Sequence, residues 1–167
     1  MSSVAVDYQE YEFEDSGQRW LASWTSASDD PPEGTNHGSG AVCRTNEGQI
    51  VLITQQGQGW DHPAGRPEGN ETWNQTLVRE VLEEACANVD SASLLGFIRG
   101  RCVSGEQEGL ILVRSLWVAQ VTLLLWDPHH EILDRTVVDE SEVFALMDYP
   151  SGLDPIYRRW LLESKNH

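Results

Sequence analysis

The chain has 167 residues, 40% of them hydrophobic and 23% charged, proportions that fit a globular domain and not a disordered one. Acidic residues outnumber basic ones 27 to 11, for a formal net charge of −16. Such a surface repels nucleic-acid polymers and anionic membranes, although a small phosphorylated molecule brought in with a cation remains admissible. No apolar run approaches the ~20 residues of a membrane helix, and the N-terminus lacks the basic flank of a signal peptide. Cys43, Cys86 and Cys102 follow no metal-ligand spacing, so a reducing, cytoplasmic setting is expected.

Two aromatic-rich runs at residues 8–13 and 19–24 flank a turn-like stretch, which predicts an N-terminal β-hairpin. Residues 26–40, rich in Ser, Asp, Pro, Gly and Asn, predict a linker. The expected organisation is therefore a hairpin extension at 1–25, a linker at 26–40 and a main domain at 41–167. The body opens with a strand pair around residues 40–44 and 49–54, followed by a helix over roughly 72–87. Strands are expected at 93–99 and 110–125, then a loop or short strand at 129–136 and two C-terminal helices, the second with Pro155 at its first position. Strands interleaved with about three helices predict an α/β or α+β sandwich around a mixed sheet.

The central helix carries the chemistry. Residues 72–75 have the form of a capping box. A helical wheel places Leu77, Val78, Val81, Leu82 and Ala85 on a broad apolar face, with Glu80, Glu83 and Glu84 assigned to the other. Such stacked carboxylates repel one another and form a hard-oxygen site for Mg²⁺ or Mn²⁺; in isolation they read equally as a solvated acidic face.

In front of this cluster stand Gly65 and, after five residues, Glu71; seven residues later comes the run Arg79-Glu80-Val81-Leu82-Glu83-Glu84. This spacing resembles the Nudix box of the MutT-like hydrolases, and residues 60–65 are similar to the loop that leads into it. The box's second glycine is replaced by Cys86 and its last apolar position by Ala87. Asn88 is expected to take over the left-handed turn that glycine would make. The resemblance implies an α/β/α sandwich and metal-dependent hydrolysis of a nucleoside diphosphate linked to a further group. It implies Glu80, Glu83, Glu84 and the Gly65 carbonyl as metal ligands. Arg79 is expected to pair with Glu71 and orient Glu80.

The general base is left open between Glu80 and a loop residue, with Glu106, Glu108, His129, His130 and Glu131 as candidates. Trp60, Arg99 and Arg101 are candidates for substrate binding, the two arginines sharing one strand face. Trp20 and Trp24 are read as packing or dimer contacts, with nucleobase stacking as the alternative. The expected partner is a small nucleotide or other diphosphate, and a homodimer is possible. A non-catalytic nucleotide-binding module is the rival reading.

Overall fold

A computed structural model describes residues 3–55, 59–128 and 131–167. It is a mixed α+β protein with a large sheet and few helices, and it divides into two compact units. The first takes in the chain up to His37, Leu94–Leu116 and Tyr149–His167; the second takes in Gly38–Ser93 and Trp117–Asp148. No helix among the described residues is long and apolar enough to cross a membrane.

In the first unit, strands β1 (Tyr11–Asp15) and β2 (Gln18–Ser26) form an antiparallel hairpin. Its turn residues Ser16 and Gly17 have φ of 51° and 76°, the left-handed pair that a two-residue hairpin turn requires. β2 pairs antiparallel with β7 (Ala87–Ser104), which leads through a tight turn at 105–109 into β8 (Ile111–Leu123). The local strand order is β1-β2-β7-β8. Alternation puts Trp20, Ala22 and Trp24 on the buried face of β2. Gly96 makes room for Trp24, since a Cβ there would lie 2.6 Å from its ring. The Arg159 guanidinium covers that ring at 4.9 Å, from helix α3 (Asp154–Ser164). Trp20 is 6% exposed and Trp24 0%, so the nucleobase-stacking alternative is corrected: both rings are consumed by the core.

The second unit holds β3 (Thr35–Arg44, from Gly38 on), β4 (Ile50–Gln55), β5 (Trp60–Asp61), β6 (Ala64–Gly65), β9 (Ile132–Val138) and helix α1 (Trp73–Ala85). The strand order is β8-β3-β4-β5, with β6 on β3 and β9 on β4. Leu77, Val81 and Ala85 of α1 pack with Ala41 and Cys43 of β3, Val51 and Ile53 of β4, and Ala119 and Val121 of β8. A short helix α2 (Val143–Leu146) follows a single 3₁₀ turn.

Several expectations shift. β3 begins at Thr35, inside the stretch read as linker, because Gly38, Ser39 and Gly40 are small enough to be buried in a ladder with β6. The strand expected at 93–99 extends over Ala87–Ser104, and 132–138 is a full strand. The apolar face of α1 is also rotated. Val78 and Leu82 are 40% and 45% exposed, whereas Glu84 is 8% exposed. At 100° per residue Glu84 lies only about 20° from Leu77, within the arc that faces the sheet.

Candidate active site

Helix α1 starts where its capping box places it. The Thr72 hydroxyl accepts from the Gln75 amide at 3.2 Å, and the Gln75 side chain accepts from the Thr72 amide at 2.9 Å. Together these satisfy two orphan donors, and loss of such a cap costs about 1 kcal/mol. At the other end Cys86 itself takes the left-handed conformation, φ 50° and ψ 52°. The expectation that Asn88 would make this turn is thereby corrected: β7 already begins at Ala87, leaving no residue for a later turn. The helix's last turn has no basic residue, but Arg135 of β9 donates to the carbonyls of Ala85 and Cys86 at 2.9 and 3.0 Å. It satisfies carbonyls that the helix end leaves without partners.

Arg79 is the centre of the site. Its Nε and Nη2 bind the two oxygens of Glu71 at 2.7 and 2.9 Å, a bidentate fork. Nη1 reaches Glu80 at 2.8 Å and Glu83 at 3.2 Å, while Nη2 also donates to the Arg66 carbonyl at 2.8 Å. Glu71 further accepts from the Glu68 amide and the Thr76 hydroxyl. Hydrogen bonds from Arg79, then from the Glu68 amide, hold its carboxyl well below the usual range, at about 2. Glu80 goes the opposite way: burial pushes it up, against the pull of Arg79 and with help from the charges of Glu83 and Glu68.

Glycine determines what Glu80 faces. A Cβ on Gly65 would lie 2.0 Å from the Glu80 carboxyl carbon, so that carboxylate lies against bare backbone. Gly38, at φ +96°, abuts the Gly65 carbonyl, and a Cβ there would be 1.7 Å from that oxygen. Next to it, the Ser39 hydroxyl donates to the Trp73 carbonyl at 2.7 Å and ties β3 to the helix entry. Glu84 faces inward, accepting from the Ala64 amide at 2.8 Å and from Gln55 Nε2 at 2.9 Å.

Gly65, Glu71, Arg79, Glu80, Glu83 and Glu84 are thus all within the second unit. Among the described residues no three His, Cys, Asp or Glu side chains form a ready metal-ligating group; Arg79 engages Glu80 and Glu83, and the Ala64 amide engages Glu84. Their chemistry nonetheless fits a hard divalent cation: carboxylate and carbonyl oxygens, with Glu80 seated against Gly65. Trp60 is half-buried in β5 and its carbonyl accepts from Asp148. Arg99 and Arg101 belong to the first unit. Glu106, Glu108 and Glu131 are exposed and make no hydrogen bond to a box residue among those described. His129 and His130 lie outside the described residues. Sequence reasoning missed Gly38, Ser39 and Gln55; only the small-residue run at 38–41 signalled a close backbone approach.

A family model, the NUDIX domain, matches residues 35–162, most of the chain. The chain belongs to the Nudix family. Among solved structures it resembles a pyrophosphohydrolase of Bacillus subtilis, BsRppH, with a TM-score of 0.67 at 21% identity, over 93% of this chain and 96% of that one. It also resembles the MutT protein of Methanosarcina mazei Go1, with a TM-score of 0.56 at 17% identity over 80% and 99%. A third is the NUDIX domain of Shewanella oneidensis NrtR, solved with ADP ribose, with a TM-score of 0.60 at 14% identity over 84% and 96%. No curated protein matches the chain. At these identities the structural likeness establishes the Nudix fold. Nudix hydrolases generally use divalent metal ions.

Proposed function

We propose that this Nudix protein is a metal-dependent pyrophosphohydrolase that cleaves a pyrophosphate bond in a small nucleoside-diphosphate compound by attack of water on phosphorus. The observation that carries the reading is the Arg79 guanidinium gripping Glu71, Glu80 and Glu83 together. A single cation holding three carboxylates in place is far more organisation than a solvated acidic face needs, since exposed ion pairs contribute little. Glu80, Glu83, Glu84 and the Gly65 carbonyl are the groups that would hold Mg²⁺ or Mn²⁺. A bound ion would offset the pyrophosphate charge and acidify water.

The chain's own residues supply the rest. Arg79, anchored by Glu71, fixes the direction of Glu80. Glu80 is the box carboxylate best suited to accept a proton from water, because burial raises its affinity for one. Water forms a bond to phosphorus, the bridging P–O bond breaks, and the phosphate leaving group departs while Glu80 holds the proton. Trp60 is placed as a candidate aromatic contact for the substrate.

The test is product release from nucleoside triphosphates, ADP-ribose, nucleotide sugars and dinucleoside polyphosphates, with Mg²⁺, with Mn²⁺ and with chelator. Glu83→Gln is the control of choice, because Glu83 is partly exposed whereas Glu84 is a buried acceptor. Metal-dependent cleavage of one class, reduced at least 10³-fold in Glu83→Gln, is the expected result. One observation favours a second reading, a nucleotide-binding module without turnover: Arg79 already engages Glu80 and Glu83, the carboxylates a metal ion would need. Binding of a nucleotide with no cleavage under any metal would establish that reading instead.

A further inference from the structure

The first unit carries a cleft of about 700 Å³ on the polar face of the β2–β7 ladder. Ser23 stands opposite Arg99 and Leu21 opposite Arg101, so Ser23, Thr25, Arg99 and Arg101 project to one side. Ser23 and Thr25 are 6% and 4% exposed, yet neither hydroxyl has a hydrogen-bond partner among the described residues, and both line the cleft. Both hydroxyl oxygens stay open to the cleft, where each can donate to or accept from an occupant. Arg99 also lines the cleft and makes no ion pair among the described residues, in a chain with 27 acids and 11 bases.

The rest of the lining has different chemistry. Tyr8 donates to Asp29, and Glu10 pairs with Arg101 at 3.1 Å. Asp30 and Glu33, on the loop over the ladder, carry no side-chain hydrogen bond or ion pair among the described residues. A guanidinium fork beside two hydroxyls suits a phosphate. Free carboxylates beside it suit paired hydroxyl donors, as an acidic side chain suits a ribose diol. A bare phosphate would meet repulsion from that rim, and a neutral sugar would leave Arg99 unanswered.

We infer that this cleft is a binding site for a sugar phosphate, its phosphate on Arg99, Ser23 and Thr25 and its hydroxyls on Asp30 and Glu33. The site does not depend on the proposed hydrolysis, since none of its residues belongs to the box. The ligand's source is either a free sugar phosphate or the same group within a nucleotide.

Titration calorimetry of the full chain in chelator, with ribose 5-phosphate, AMP, ribose and inorganic phosphate as probes, tests it. Chelator removes metal-dependent binding at the box, so failure here and failure of the hydrolytic reading are separate results. Ribose 5-phosphate or AMP is expected to bind at least tenfold more tightly than ribose or phosphate, and the tighter of the two identifies the source. Arg99→Gln is expected to weaken that binding at least tenfold, Thr25→Val about threefold, and Arg99→Lys to fall between wild type and Arg99→Gln. Circular dichroism checks that each variant is folded. Absence of binding by ribose 5-phosphate and AMP at millimolar concentration overturns the inference. So does equal affinity in the folded Arg99→Gln and Arg99→Lys variants.

Discussion

Arg79 and Arg99 show two opposite uses of a guanidinium in one acidic chain. In the second unit Arg79 is saturated by Glu71, Glu80, Glu83 and a backbone carbonyl, and three box positions are fixed through it. In the first unit Arg99 has no ion-pair partner among the described residues and opens on a cleft that Ser23 and Thr25 also line. A saturated arginine positions protein groups, whereas an unsaturated one is available to a ligand. The charge count alone does not separate them, since both sit among acids.

The comparison breaks most readily at Arg79. Arg79→Gln should lower kcat by about 10²–10³-fold, about 3–4 kcal/mol of barrier, and Arg79→Lys should recover only part because an ammonium cannot fork between Glu71 and Glu80. Steady-state kinetics on the substrate found by the panel measures this; wild-type kcat in Arg79→Gln would remove the positioning role. Next comes Gly38, whose positive φ and close approach to the Gly65 carbonyl leave no space for a methyl group. Gly38→Ala should destabilise by about 2–4 kcal/mol in denaturant melts, strain and clash combined.

A third test uses pH. His62 is 3% exposed, and burial, with the Arg44 charge, pushes its pKa down to about 3. The unfolded chain therefore binds this proton first. Its contribution to stability is complete above about pH 6.5 and declines as pH falls from there toward 3, by at most about 1.4 kcal/mol per pH unit. Melting temperature against pH should flatten in that window for His62→Gln; an unchanged slope would show that other groups govern it. The smallest effect is expected at Cys86. Glycine there relieves about 1 kcal/mol of left-handed strain but forfeits the thiol's hydrogen bonds to Asp127, so Cys86→Gly should change stability by under about 1 kcal/mol. Calorimetric melting of the two proteins decides it.

Local chemistry made the helix legible. Thr72 and Gln75 form a cap through side chains three residues apart, and Arg79 reaches Glu80 and Glu83 along one helix, so spacing alone contains both. The hairpin and the shared face of Arg99 and Arg101 were likewise readable from period and spacing, and the box from its resemblance to the family motif. What the sequence by itself did not contain depends on contacts between distant segments. Glu84 turned inward because the Ala64 amide and Gln55, twenty and twenty-nine residues away, meet it there. Gly38 matters only because β6 folds back onto β3. The cleft exists because residues near 8, 23, 30 and 99 come together across the β2–β7 ladder. Sequence determined which groups the chain carries and their local order; tertiary structure decided which charges neutralise one another and which remain free, because that depends on distances that no spacing encodes.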